Sequence, residues 1–281
     1  MGDRKETVLA ICYDFDKTLS PTDMQAQGYI QSVGYDVDEF WEKTNALAQA
    51  NEMDSNLAYM YVMMDEARGR LLFNREKLEE YGSRVQLFPG VDGWFDRINE
   101  YGKERNVKVE HYIISSGLKE IIEGSAIYKK FKEVYACEFM YDENDIACWP
   151  KNVVNYTTKT QFLFRINKGV SDLSDDRTLN DYVPEDERRI PFRNMIYIAD
   201  GITDVPCMKL VKVNGGYSIA VYQKNKKTQA NELLKDSRVN YIAKADYKKD
   251  SELDKLMQSV IAEIASKDKL IQLQIKQRKS V

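Results

Sequence analysis

Three short apolar runs, each cut off by acidic or hydroxyl residues, constrain this chain more than any other feature. Val8-Leu9-Ala10-Ile11-Cys12-Tyr13 stops at Asp14, Val107 to Ile114 stops at Ser115-Ser116-Gly117, and Met195-Ile196-Tyr197-Ile198-Ala199 stops at Asp200-Gly201. Runs this short that lack polar alternation read as strands buried on both faces of a parallel sheet. Tyr217 to Tyr222 reads as a further strand, and residues 133 to 156 as short strands and a turn. Helical patterns lie between the runs. Val91 to Glu104 carries Trp94, Phe95, Ile98 and Tyr101 on one face, another helix starts near Leu118, and Thr160 to Ile166 is helical. The tail repeats Leu253, Leu256, Met257, Val260, Ile261 and Ile264 at helical spacing. Strands alternating with helices give a doubly wound, Rossmann-like α/β fold.

Residues 21–84 break the alternation. Stretches around Ala26 to Val33, Glu39 to Ala50 and Leu57 to Arg70 carry apolar residues at helical spacing, and no strand interrupts them. The 281 residues therefore divide into an α/β core at 1–20 and 85–281 and a helical insertion at 21–84. Residues 167–194 read as a charged surface excursion.

Composition limits the chemistry. The chain has one histidine, His111, so no site can take two histidine ligands and a Ser-His-Asp triad would have to use that residue. His111 lies inside an apolar strand and reads as structural. With 41 basic against 45 acidic residues the net charge is −4, which argues against a nucleic-acid partner. No run approaches the roughly 18 apolar residues of a membrane span. Val8 to Cys12 is too short for a signal peptide, and Gly2 is followed by Glu6 where myristoylation wants Ser or Thr. Cys12, Cys137, Cys148 and Cys207 form no C-x-x-C pair, and free thiols in a cytoplasmic protein are the expectation.

In open α/β sheets ligands bind beyond the carboxyl ends of the strands. Those ends carry Asp14, Asp16 and Thr18, then Ser115, Ser116 and Gly117, then Asp200 and Asp204, with Lys159 at the start of an intervening helix. Asp14 and Asp16 are two apart, so an extended chain directs both carboxylates to one side. Carboxylates gathered in this way need a cation or a proton between them. An all-oxygen cluster suits Mg²⁺, which takes carboxylates, waters and substrate phosphate. Ser115, at a strand-to-helix turn, and the backbone N–H groups after it would hold a phosphate oxygen at a helix N-terminus. Ser115 is preferred to Ser116 because it comes first after the apolar run. Lys159, in competition with Lys151 and Lys168, would neutralise phosphate charge.

These residues resemble the motifs of the haloacid dehalogenase superfamily. Asp14-Phe15-Asp16-Lys17-Thr18 is similar to the first motif, Ile113-Ile114-Ser115 to the second, Lys159 to the third and Asp200-Gly201-Ile202-Thr203-Asp204 to the fourth. The resemblance covers residues 5–20 and roughly 85–250, and the insertion resembles the family's small helical cap. Asp16 stands where the dehalogenases lack an aspartate, so the chain looks like a phosphatase or phosphomutase, nearest the phosphoserine-phosphatase-like branch. The resemblance implies a Mg²⁺-dependent phosphoric monoester hydrolase. Asp14 would attack phosphorus and Asp16 would serve as acid and base. Thr18, Ser115, Ser116, Gly117 and Lys159 would meet the phosphate. The metal would lie among Asp14, the Asp16 carbonyl and Asp200, with Asp204 in support.

A phosphomutase using the same aspartyl-phosphate chemistry, and a non-catalytic module that only binds phosphate and Mg²⁺, are the alternative readings. The expected partner is a small phosphorylated substrate, with no nucleic acid or membrane, bound by a monomer or homodimer. Substrate contacts from the insertion are expected among residues such as Gln25, Gln27, Tyr29 and Tyr59.

Overall fold

A computed structural model describes residues 6–224 and 226–278. Gly2 and Lys279 lie outside the described residues. Seven strands form one sheet in the order β4-β3-β2-β1-β5-β6-β7. They are β1 (Thr7–Tyr13), β2 (Val107–Leu118), β3 (Glu133–Tyr141), β4 (Ala147–Asn152), β5 (Met195–Ala199), β6 (Tyr217–Tyr222) and β7 (Tyr241–Lys244). All neighbours are parallel except β3 and β4, an antiparallel pair at one edge. The sheet is flanked by helices, so the fold is α/β and mostly parallel, as the apolar runs predict. Leu9 to Tyr13 and the whole of β5 are buried, which is why these strands carry no polar alternation.

β1 is central. It pairs with β2 on one side and β5 on the other, with Tyr13 aligned to both Ile113 and Ile198. Consecutive crossovers leave β1 in opposite directions, and such a switch point opens a crevice at the carboxyl ends of the strands. The helices α5 (Val91–Lys103) and α11 (Glu252–Arg278) pack together on this sheet, as do α7 (Lys159–Lys168) and α9 (Val205–Val213). The charged excursion holds a short helix, α8 (Asp176–Asn180), and α10 (Lys227–Lys235) precedes β7.

The chain leaves the sheet after β1 and returns at Phe88, whose N–H donates to the Leu19 carbonyl at 2.9 Å. Between those points the regular elements are helical: a 3-10 turn at Met24–Gln27, then α1 (Tyr29–Ser32), α2 (Val37–Ala50), α3 (Ser55–Ala67) and α4 (Arg75–Gly82). Asp36 opens α2 with a capping box completed by Glu39, and Asp54 caps α3. The helical block is seated on the core through α4 and α6 (Lys119–Glu123). Glycines let those backbones touch: a Cβ on Gly82 would lie 2.0 Å from the Ile121 carbonyl oxygen, and one on Gly124 1.9 Å from that of Glu79.

His111 is a core residue. Its ring lies 3.0 Å from the Tyr13 hydroxyl through Nδ1 and 3.0 Å from Asn99 Oδ1 through Nε2, while Trp94 Nε1–H donates to Tyr13 at 2.9 Å. Burial pulls its pKa down to about 3, so it stays neutral. The four cysteines are free, and only Cys148 is exposed.

The crossing of α4 and α6 yields a test. Gly82→Ala forces the two helices apart and is expected to cost about 1–3 kcal/mol, read as a lower denaturation midpoint. An unchanged midpoint would show that the helical block does not sit on α6 as described.

Candidate active site

The turn after β1 sets the first residues. Asp14 continues the β1–β5 pairing, its N–H donating to Ile198 O at 3.0 Å. Lys17 then adopts a left-handed conformation (φ 60°), unusual for a side-chain-bearing residue. That reversal brings the N–H groups of Thr18, Leu19 and Ser20 back to the Phe15 carbonyl. Lys17 is tied to Asp23 at 2.8 Å.

Asp14, Asp200 and Asp204 each offer a carboxylate oxygen, and these oxygens lie within 4.8 Å of one another. Lys159, buried at the start of α7, donates to Asp14 Oδ1 at 3.0 Å and to Asp204 Oδ1 at 2.7 Å. The Tyr197 hydroxyl donates to the same Asp204 oxygen at 2.6 Å. Burial works against the Lys159 charge, but Asp14 and Asp204 outweigh it and hold its pKa above the ordinary lysine value. Burial raises the Asp14 pKa, with Lys159 opposing and Asp204 and Asp200 reinforcing. Asp200 is pushed up to about 6 by burial and by Asp204.

Asp16 accepts the Met24 N–H at 2.8 Å. Burial, then the charges of Asp23 and Asp14, hold its carboxyl well above the usual carboxylate range. A carboxyl of this kind keeps a proton to give, as a general acid requires.

Asp14, Asp16, Lys159 and Asp200 line a cleft of about 450 Å³ that also receives Ser115, Ser116 and Gly117, while Asp204 is wholly buried behind it. The expected helix N-terminus is not where Ser115, Ser116 and Gly117 lie. β2 runs on to Leu118, and the helix that follows has five residues and begins at Lys119. The pairing with β3 becomes irregular between Ile114 and Leu118, so the chain bends without leaving the strand. Ser115 is buried and its Oγ accepts the Gly117 N–H at 3.0 Å. A Cβ at Gly117 would lie 2.1 Å from Met24 Cε and 3.1 Å from Asp16 Oδ2, so any other residue here would displace the Met24 side chain.

Thr18 departs from the sequence expectation. It is wholly buried and absent from the cleft lining; its hydroxyl is unpartnered, and its carbonyl accepts from Tyr247. Its place in the turn beneath the cleft, set by the Phe15 carbonyl, explains this. The candidates from the insertion also differ. Tyr29 donates to Met63 O, Gln27 bonds Ser20 and the Gln86 N–H, Gln25 is buried, and Tyr59 donates to the Ser116 carbonyl at 2.7 Å. The insertion instead lines the cleft with Asp23, Ser55 and Asn56, and the core adds Tyr156, Lys226 and Gln229. The N-cap signal Asp54-Ser55-Asn56 was available in the sequence as a helix start, but nothing there says that the start faces the site.

The profile of the haloacid dehalogenase-like hydrolases matches residues 11–209. This chain belongs to that family. An uncharacterized protein of Borreliella burgdorferi is 31% identical over 283 positions, spanning 89% of this chain and 95% of that one. A HAD family hydrolase structure from Salmonella enterica serovar Typhi superposes with a TM-score of 0.57 at 15% identity, over 89% of this chain and 70% of that one. A substrate-bound phosphoserine phosphatase superposes with a TM-score of 0.55 at 14% identity, over 92% of this chain and 100% of that one. At such identities the haloacid dehalogenase-like fold is what these structures share with this chain. Among the described residues, no helix is long and apolar enough to cross a membrane.

The acid cluster gives the metal-free hydrolase a defined pH dependence. Asp200 keeps its proton up to about pH 6 when folded, against an ordinary value of 3.8. Between those values the folded state binds more protons than the unfolded chain, so raising the pH lowers stability. Asp14 acts in the same direction. The Asp200 share of the fall is expected to be about 2–3 kcal/mol at most and to disappear in Asp200→Asn. Thermal melts of both proteins from pH 4 to 7.5 measure it. A divalent cation is expected to raise the melting temperature more at pH 7.5 than at pH 5.

Proposed function

We propose that this chain is a Mg²⁺-dependent phosphatase that hydrolyses a small phosphorylated metabolite through an aspartyl-phosphate on Asp14. The observation that carries the reading is the pairing of two carboxyls with opposite tasks at one strand end. Asp14 has the buried ammonium of Lys159 at 3.0 Å, which opposes the effect of burial and favours its charged form, whereas for Asp16 burial and the charges of Asp23 and Asp14 outweigh the nearby Lys17 and favour the protonated form. One is equipped as a nucleophile and the other as an acid.

The oxygens of Asp14, Asp200 and Asp204 fit a hard cation such as Mg²⁺. Nitrogen and sulfur donors are absent from this cluster, which argues against zinc. When bound, the ion supplies positive charge opposite the transferring phosphoryl group.

The chain's own residues do the rest. An Asp14 oxygen attacks phosphorus as the ester oxygen leaves, and Asp16 gives that oxygen its proton. Asp16, now a carboxylate, takes a proton from the water that attacks the aspartyl-phosphate, and phosphate departs with Asp14 restored. Lys159 and the Ser115 hydroxyl meet the charge on the phosphoryl oxygens. A cleft of about 450 Å³ suits a small ester. The phosphoserine phosphatases that share the fold support a phosphoric monoester as substrate.

The test is phosphate release from an aryl phosphate, which is expected to stop with chelator and return with Mg²⁺. Asp14→Asn is expected to abolish turnover, and Asp16→Asn to lower kcat about 10²–10⁴-fold. Turnover that survives Asp14→Asn would remove the assigned nucleophile.

A further inference from the structure

Beside the acidic cleft lies a second hollow of about 520 Å³ that phosphoryl chemistry does not need. The two spaces share Tyr156, Ile202, Thr203 and Gln229 as a common wall. Beyond that wall the second hollow is lined by Val205, Pro206 and Leu233, from the start of α9 and from α10. Its charged residues are Glu232, Asp236 and Arg238, two acids against one base, a poor setting for another phosphate.

Ile202 is the telling residue. It stands two positions from both Asp200 and Asp204 in the loop that carries the acid cluster, yet its side chain is not packed inside: it is 67% exposed. Tyr156, three positions before Lys159, is 53% exposed at the same junction. Single exposed apolar residues are ordinary. Two of them on the boundary between a phosphate-sized polar cleft and an apolar hollow form a path from one to the other.

We propose that this hollow receives an apolar portion of the substrate's leaving group, so that the enzyme selects phosphate monoesters bearing an alkyl or aryl group over those of small polar alcohols. The inference rests on the phosphatase reading, because it needs the phosphoryl end anchored at Asp14 and Lys159. The polar cleft then holds the phosphate, and Ile202, Val205, Pro206 and Leu233 take the carbon chain out of water. Burial of each methylene is worth roughly a fourfold gain in affinity.

Calorimetric titration with methylphosphonate and hexylphosphonate in Mg²⁺ tests this without turnover, since neither is a phosphate ester. Hexylphosphonate is expected to bind at least about tenfold tighter. Val205→Asp and, separately, Ile202→Ser are expected to shrink that ratio, with thermal melts reporting whether each variant is folded. Equal affinities for the two phosphonates, or an advantage that survives both substitutions, would overturn the proposal while leaving the phosphate site intact. Absence of binding by either phosphonate would overturn it together with the phosphate site. If hexylphosphonate binds tighter but no ester is hydrolysed, the phosphatase reading fails and the apolar subsite stands.

Discussion

The site depends on one buried ammonium. Lys159 is out of solvent and in contact with Asp14 and Asp204, and Asp200 lies within the same cluster. Taking such charges out of water is expensive, and removing one partner of a buried pair typically costs about 3–5 kcal/mol because the other is left unpaired. Lys159 thus holds together segments that are remote in sequence: the end of β1, the loop after β5 and the start of α7. It balances only part of the acid cluster. Burial, together with the acid charge that Lys159 leaves unbalanced, raises the proton affinity of Asp14 and Asp200, the electrostatic condition under which a divalent cation is bound well. The same imbalance that weakens the metal-free chain would favour the proposed Mg²⁺.

The ends of the sheet were legible in the sequence because burial leaves a plain mark. β1 and β5 are enclosed on both faces, so they appear as unbroken apolar runs, and the polar residue that ends each run is the one that reaches the crevice. Asp14, Asp16 and Asp200 follow from that logic, and Lys159 from the helix start beside them, whereas Asp204 lies behind the crevice, buried against Lys159 and Tyr197. The second strand followed the rule less closely. Ser115 does end the apolar run, but the backbone continues as strand to Leu118. A change of side-chain polarity marks where the interior ends, not where hydrogen bonding to β3 ends. Thr18 was misread for a related reason. A threonine four positions after Asp14 faces inward or outward according to the dihedral angles of Lys17, and a positive φ at a lysine has no signature in the sequence.

The insertion was legible as helices and illegible as a surface. Periodicity separates the buried face of α3 from its exposed face, but does not tell which end of the helix meets the sheet. Tyr59 was a reasonable substrate contact by composition, yet its hydroxyl is spent on the Ser116 carbonyl, fastening the helical block to the end of β2. Short polar residues at the helix start, Ser55 and Asn56, reach the cleft instead.

That placement follows from how Asp54 divides its two oxygens. Oδ1 caps α3 by accepting the N–H groups of Asn56 and Leu57 at 2.9 and 3.1 Å, and Oδ2 accepts Asn155 Nδ2 at 2.8 Å. Asn155 in turn accepts the N–H groups of Thr157 and Thr158 through its side chain and that of Lys159 through its carbonyl. A second link runs from Asn56 Nδ2 to the Val154 carbonyl. The loop that presents Tyr156 and launches Lys159 is therefore fastened to the helix start that presents Ser55 and Asn56. The cleft-lining Tyr156, Ser55 and Asn56 and the lysine that contacts Asp14 share one hydrogen-bonded unit. Displacing Tyr156 or Asn56 from its position would strain the segment that holds Lys159 against Asp14.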